Sequence, residues 1–200
     1  GAAFPALPVI AKPLCEGSSM GLRKHSRAGD RAALEANVRA LLGTYRQPVL
    51  VERFLPGAEV TVGVLGNGSE ARVIGAMEIA PRKTSGRDFL YSLEVKRNYL
   101  EEVDYHVPPR LPAETIRAVE RTALGAYRAL GCRDVTRVDT RLDDDGVPCF
   151  IELNPLPGLN PITGDLPILA ARAGLPYDKL IATIVESALA WERRLQQRNA

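Results

Sequence analysis

Hydrophobic and polar positions change period several times along these 200 residues. Residues 8–12 form a short apolar run closed by a lysine, the pattern of a buried strand. Ala33, Leu34, Val38, Leu41 and Leu42 recur at helical spacing and predict a helix over 30–45, with Asp30 as its N-cap. Three strands are expected at 49–55, 59–66 and 72–80, punctuated by the turn pairs Pro56-Gly57 and Asn67-Gly68. Residues 81–109 are polar and aperiodic and read as a long irregular loop. Ile116, Val119, Leu124 and Leu130 place one stripe on a helix over 113–130. Alternation returns at 137–154, and helices over 165–173 and 177–197 close the chain. Strands mostly follow one another as antiparallel meanders, without strict βαβ alternation. The expected class is α+β.

The run at 137–154 carries the most chemistry. Asp145-Gly146 between two alternating segments predicts a two-residue hairpin turn, because both central residues of such a turn need positive φ. Asp139 then faces Glu152, and Arg137 faces Asn154. Side chains alternate along a strand, so these four share one face. Val138, Leu142, Ile151 and Leu153 take the other and point to a core. Two carboxylates and an amide beside an arginine suit Mg²⁺ together with nucleotide phosphates. A solvated polar face would carry the same pattern, and a facing Asp–Glu pair repels. Both readings stand on the hairpin alone.

Composition excludes more than it assigns. A formal charge of +2 with no basic run interleaved with aromatics gives no footprint for nucleic acid or a membrane surface. No apolar stretch is long enough for a membrane span. Cys15, Cys132 and Cys149 are too widely spaced for a zinc or disulfide pattern, so a reducing cytoplasm is expected. The chain opens on Gly1 and runs at once into strand-like sequence, which leads us to expect a piece of a larger protein.

Two further segments add weak signals. Lys12 precedes the loop Glu16-Gly17-Ser18-Ser19-Met20-Gly21. Its glycines and successive N–H groups suit an anion, with the lysine as mobile charge. A plain turn or linker has the same composition, and no Gly-Lys-Ser/Thr P-loop is present. In Val49–Val62, a strand leaving toward a turn offers backbone groups that can read an adenine edge, and Glu59 could hold ribose hydroxyls. An ordinary strand with salt-bridged glutamates fits equally.

Taken in order, these segments resemble the ATP-grasp superfamily, and within it the D-alanine–D-alanine ligase family. The matching stretches are Val9-Ile10-Ala11-Lys12-Pro13, Glu16 to Gly21, Glu52 to Val62, Leu93-Glu94-Val95-Lys96, Gly131-Cys132, Arg137-Val138-Asp139, and Glu152-Leu153-Asn154 with Pro157-Gly158. The likeness covers nearly the whole chain. It implies two α+β subdomains, a partial central one over 1–50 and a C-terminal one over 51–200, with ATP between them. It implies an ATP-dependent carboxylate–amine ligase acting through an acylphosphate in peptidoglycan precursor synthesis. The partners implied are small amino acids and an N-terminal substrate domain of the same protein, and a homodimer stays open.

By resemblance, Lys12 and Lys96 contact phosphates, and Glu52, Arg53, Phe54 and Leu55 form the adenine-binding hinge. Glu59 is the ribose-binding acid, and Ser18 belongs to the loop near the reaction centre. Asp139, Glu152 and Asn154 match the ligands of two Mg²⁺ ions, a role Mn²⁺ can also fill. Arg137 matches the arginine that stabilises the oxyanion of the tetrahedral intermediate, while Gly158 and Thr163 fall in the substrate loop. One departure bears on substrate choice: Arg97 stands where an aromatic residue typically follows the flexible-loop lysine. It keeps two alternatives in view, an ATP-grasp ligase for another amino-acid-like substrate and a non-catalytic ATP-binding domain.

Overall fold

The computed structural model describes residues 5–17, 19–83 and 86–198. The chain divides into two compact units, Gly1–Pro56 with Pro81–Val103, and Gly57–Ala80 with Asp104–Ala200.

In the first unit β1 (Val9–Pro13) lies between β2 (Arg27–Ala28) and β3 (Val49–Arg53), antiparallel to both. Val9 and Ala11 turn inward with Ala28 and pack on Leu34 and Leu41 of α1 (Arg31–Tyr45). Asp30 caps this helix as expected, its carboxylate accepting the Ala33 N–H at 2.8 Å. β3 pairs with β1 along its full length, from Val9↔Arg53 to Pro13↔Val49. A boundary at residue 50 would therefore cut a strand out of its own sheet, and the chain leaves this unit only at Pro56.

Residues 81–109 are not a structureless loop. They contain α2 (Leu93–Arg97), α3 (Tyr99–Glu102) and a four-residue strand, Val103–His106. Helices of one turn are too short to show a period, which is why the sequence pattern misses them. The Ser92 side chain accepts the Val95 N–H at the start of α2.

The second unit is built on a five-stranded sheet of β4 (Glu59–Leu65), β5 (Arg72–Pro81), β6 (Val103–His106), β7 (Val135–Leu142) and β8 (Pro148–Asn154), with β4–β5, β4–β7 and β7–β8 antiparallel. Their order is β6-β5-β4-β7-β8. Strand alternation sends Val60, Val62, Val64, Val138 and Leu142 to one face, where they meet Val119, Ala123 and Tyr127 of α4 (Ala113–Ala129). Leu130, on the expected helical stripe, falls past the helix end and is exposed. On the opposite face, Leu65 and Val135 pack with Leu166, Ala170 and Leu180 of α5 (Asp165–Arg172) and α6 (Tyr177–Arg198).

Gly63 and Gly75 are cross-strand partners beneath α5. A Cβ at Gly63 would come to 2.9 Å from Leu166 Cδ1, and one at Gly75 to 3.0 Å from Ala173 Cβ. Two missing side chains let the helix lie down on the sheet. Among the described residues no helix is long and apolar enough to cross a membrane.

The buried Tyr127 hydroxyl donates to Gly66 O at 2.6 Å across this core. Burial first, then the charge of Asp134, pushes its pKa from 10.0 up to about 12. The folded state thus holds the phenolic proton more tightly than the unfolded one. Stability from this group is complete below pH 10 and is lost as pH rises from 10 toward about 12. Denaturant unfolding across that window is expected to show the decline, and Tyr127→Phe to lose this component of it.

Candidate active site

The candidate site grows from the β7–β8 hairpin. Asp143 accepts the N–H groups of Asp145 (3.0 Å) and Val147 (2.8 Å) through its side chain, and Gly146 alone in the turn has positive φ, +77°. The turn is therefore longer than the expected two residues, spanning Asp143 to Val147 with a reciprocal Asp143 N–H to Val147 O bond. Pairing starts one residue out of the expected register, as Leu142↔Pro148, Arg141↔Cys149 and Thr140↔Phe150. A bulge between Asp139 and Thr140 then restores it. Asp139↔Glu152, Val138↔Leu153 and Arg137↔Asn154 pair as the sequence suggested. The bulge absorbs Ile151, which is exposed instead of joining the core.

Arg137 ties the polar face together. Its Nε donates to Asp139 Oδ1 at 3.0 Å and its Nη2 to Asp139 Oδ2 at 2.7 Å. Nη1 donates to Asp165 Oδ2 at 3.1 Å, and Glu152 Oε1 lies 3.8 Å from Nη2. Burial alone would lower the Arg137 pKa. The charge and hydrogen bonds of Asp139, then Asp165 and Glu152, outweigh it and drive the net shift upward. This guanidinium stays charged.

Thr61, opposite Asp139 on β4, donates its hydroxyl to Asp139 Oδ1 at 2.9 Å. The Asn154 amide nitrogen sits 3.4 Å from Asp139 Oδ2 and 3.5 Å from Glu152 Oε1. Amide oxygen and nitrogen exchange places by a half-turn of the group. With its oxygen inward, Asp139, Glu152 and Asn154 offer only hard oxygen donors. With Asp165 counted, three carboxylates surround one guanidinium, so the cluster carries surplus negative charge. That donor set can hold a divalent cation, although no group of three His, Cys, Asp or Glu side chains is gathered for one among the described residues.

Glu59 and Arg141 face each other two residues along the same strands. Arg141 is 5% exposed, donating to Gly57 O at 3.2 Å and to Glu59 Oε2 at 3.4 Å. Burial pulls its pKa down, and the Glu59 charge offsets part of that.

The remaining expected residues lie elsewhere. In the first unit Lys12 Nζ is ion-paired to Glu52 Oε2 at 2.6 Å. Arg53 ends β3 exposed, and Leu55 is half-buried. Phe54 is buried beneath the Arg27 guanidinium, 4.9 Å from its ring centre, and its N–H donates to Pro8 O. Lys96 stacks its ammonium 4.9 Å from the Tyr91 ring centre. The Ser19 hydroxyl donates to Tyr91 O at 3.1 Å, so the serine loop and the lysine segment do meet. Ser18 lies outside the described residues, as does the Arg97 side chain.

In the second unit Gly158 and Thr163 occupy the loop before α5, both exposed. The Thr163 N–H donates to Asn160 Oδ1 at 3.0 Å. Sequence reasoning missed Thr61, Arg141 and Asp165. The first two share the odd-numbered alternation of Glu59 and Asp139 and were recoverable from it. Asp165 reads only as a helix start, and its place beside Arg137 depends on the fold.

Comparison with known proteins gives the family and the fold. Residues 3–186 match the family described as D-ala D-ala ligase C-terminus. A D-alanine–D-alanine ligase of Methylibium petroleiphilum is 38% identical over 188 residues, covering 91% of this chain and 54% of that protein. One from Gloeobacter violaceus is 37% identical, covering 91% and 56%. The crystal structure of a Bacillus anthracis D-alanine–D-alanine ligase complexed with ATP matches 97% of this chain and 55% of its own, at TM-score 0.69 and 25% identity. The fold is α+β of the ATP-grasp class. The chain belongs to the D-ala D-ala ligase C-terminus family. It spans about half the length of the curated relatives it matches.

The Arg141–Glu59 pair gives a stability test. Glu59→Gln leaves a buried guanidinium with a neutral partner, at an expected cost of about 2 kcal/mol. Denaturant unfolding of the variant reads this as a lower midpoint with unchanged slope.

Proposed function

We propose that the protein carrying this chain is an ATP-dependent carboxylate–amine ligase that joins two D-alanine molecules for peptidoglycan precursor synthesis, in the cytoplasm. The observation that carries this reading is the set of Arg137, Asp139, Glu152 and Asn154 on one sheet face, in a chain of this family. ATP would phosphorylate one amino acid's carboxylate. The amine of the second would attack the acylphosphate carbonyl, and inorganic phosphate would leave.

Asp139, Glu152 and Asn154 would hold Mg²⁺, two ions by family resemblance. Bound there, Mg²⁺ supplies charge neutralisation to the transferring phosphoryl group. Arg137, held charged by its carboxylates, would donate to the oxyanion formed when the amine adds. Lys12 and Lys96 would bind phosphates, each giving up a present partner, Glu52 and the Tyr91 ring, to do so. Glu52 to Leu55 would contact adenine, and Glu59 the ribose hydroxyls. Ser18, Gly158 and Thr163 would meet the amino acids. The remaining length seen in the relatives would supply the rest of the substrate site.

Arg97 favours a second reading, in which the acceptor amino acid carries an extra negative charge. Phosphate release by the full-length protein, measured over a panel of amino-acid pairs, separates the two. D-alanine alone is expected to support turnover, and Asp139→Ala and Glu152→Ala to lower it by about 10² or more. Turnover only with an acidic acceptor would replace the leading reading. None with any pair would remove the ligase assignment.

A further inference from the structure

Asp165 is the one carboxylate of the cluster with no role in the reading above. It opens α5 and comes from outside the hairpin. Its side chain is about as buried as that of Arg137, 15% against 13% exposed. Tyr105 holds it from the other side, its hydroxyl 3.4 Å from Oδ1. Gly164 is the N-cap of α5 and no side chain caps the helix, so the Asp165 carboxylate is not held there by capping, and its desolvation needs another partner.

The geometry of Arg137 supplies a reason. Its Nε and Nη2 are spent on Asp139, the same carboxylate proposed to ligate Mg²⁺. A cation and a guanidinium compete for the oxygens of one carboxylate. Once a cation takes Asp139, an arginine held only there would lose its anchor. Asp165 binds the remaining terminal nitrogen, Nη1, and shares no oxygen with the hairpin set.

We propose that Asp165 is a positioning residue: a second anchor that retains Arg137 at the site and eases its release of Asp139 when a divalent cation binds. This rests on the metal reading of Asp139, Glu152 and Asn154. The role requires the α5 start to lie beside the hairpin, and the paired Gly63 and Gly75 beneath α5 allow that approach.

The test is Mn²⁺ binding to the full-length protein, followed by the paramagnetic resonance of the free ion. Asp165→Asn is expected to weaken binding roughly tenfold, because Arg137 then presses on Asp139 alone. Asp165→Glu is expected to restore near-parent affinity, which separates the effect from misfolding. In an Arg137→Gln background, Asp165→Asn is expected to change affinity by less than about twofold. Equal losses in both backgrounds would overturn the proposal, since Asp165 would then act by its own charge on the ion. No loss in the parent background would overturn it as well. A parent that binds no Mn²⁺ would remove the metal reading itself, and this proposal with it.

Discussion

Three carboxylates crowded onto one sheet face repel one another, and the repulsion grows as water is withdrawn from them. Asp139, Glu152 and Asp165 escape this because the Arg137 guanidinium stands among them with fixed, forked donors. The rest of the candidate site depends on that neutralisation. Asp139 is only 9% exposed, and it is tolerable there because two guanidinium nitrogens and the Thr61 hydroxyl satisfy its oxygens. The residual charge on the cluster stays negative. Its affinity for a cation and its compatibility with folding thus come from the same balance.

Register makes the balance available, and here the sequence was informative by a route it did not show. Alternation correctly put Arg137, Asp139, Glu152 and Asn154 together. The reasoning behind it, a two-residue Asp-Gly turn, fails at the turn itself. Asp143 folds its side chain over the loop and lengthens it, and the bulge at Ile151 takes the register back. Turn chemistry and bulge compensate, leaving the functional pairs aligned and one isoleucine on the wrong side. Side-chain capping of a loop and a one-residue bulge are set by local hydrogen bonds, and alternation does not report either.

The longer elements were legible for a plain reason. A helix of four turns such as α1, with Asp30 to start it, and valine-rich strands such as β4 repeat their pattern often enough to be unambiguous. The stretch from Pro81 to His106 was not, because α2, α3 and β6 each last a turn or a few residues. β3 belongs to β1 by hydrogen bonding, and adjacency in sequence to β4 conceals that. Side-chain roles in the first unit were legible by type only. Lys12 and Lys96 are cations at the expected places, and the structure adds that each already has a partner, a carboxylate and a ring face.

The least legible feature is also the one that ties the hairpin to the remainder of its unit. α5 lies close over the sheet where β4 and β5 carry glycines side by side under it. A Cβ at either would crowd Leu166 or Ala173 and force a local shift where α5 meets the sheet, and the Asp165 to Arg137 contact of 3.1 Å depends on how α5 is seated. Glycines in a strand usually weaken it, and here the loss is offset by burying Leu166 and Leu169 against the sheet. The same close approach that completes a hydrophobic cluster thereby delivers a charge to the opposite end of the contact. Packing against α5 and the charge it carries to Arg137 both depend on the two absent Cβ atoms of Gly63 and Gly75, which couples them.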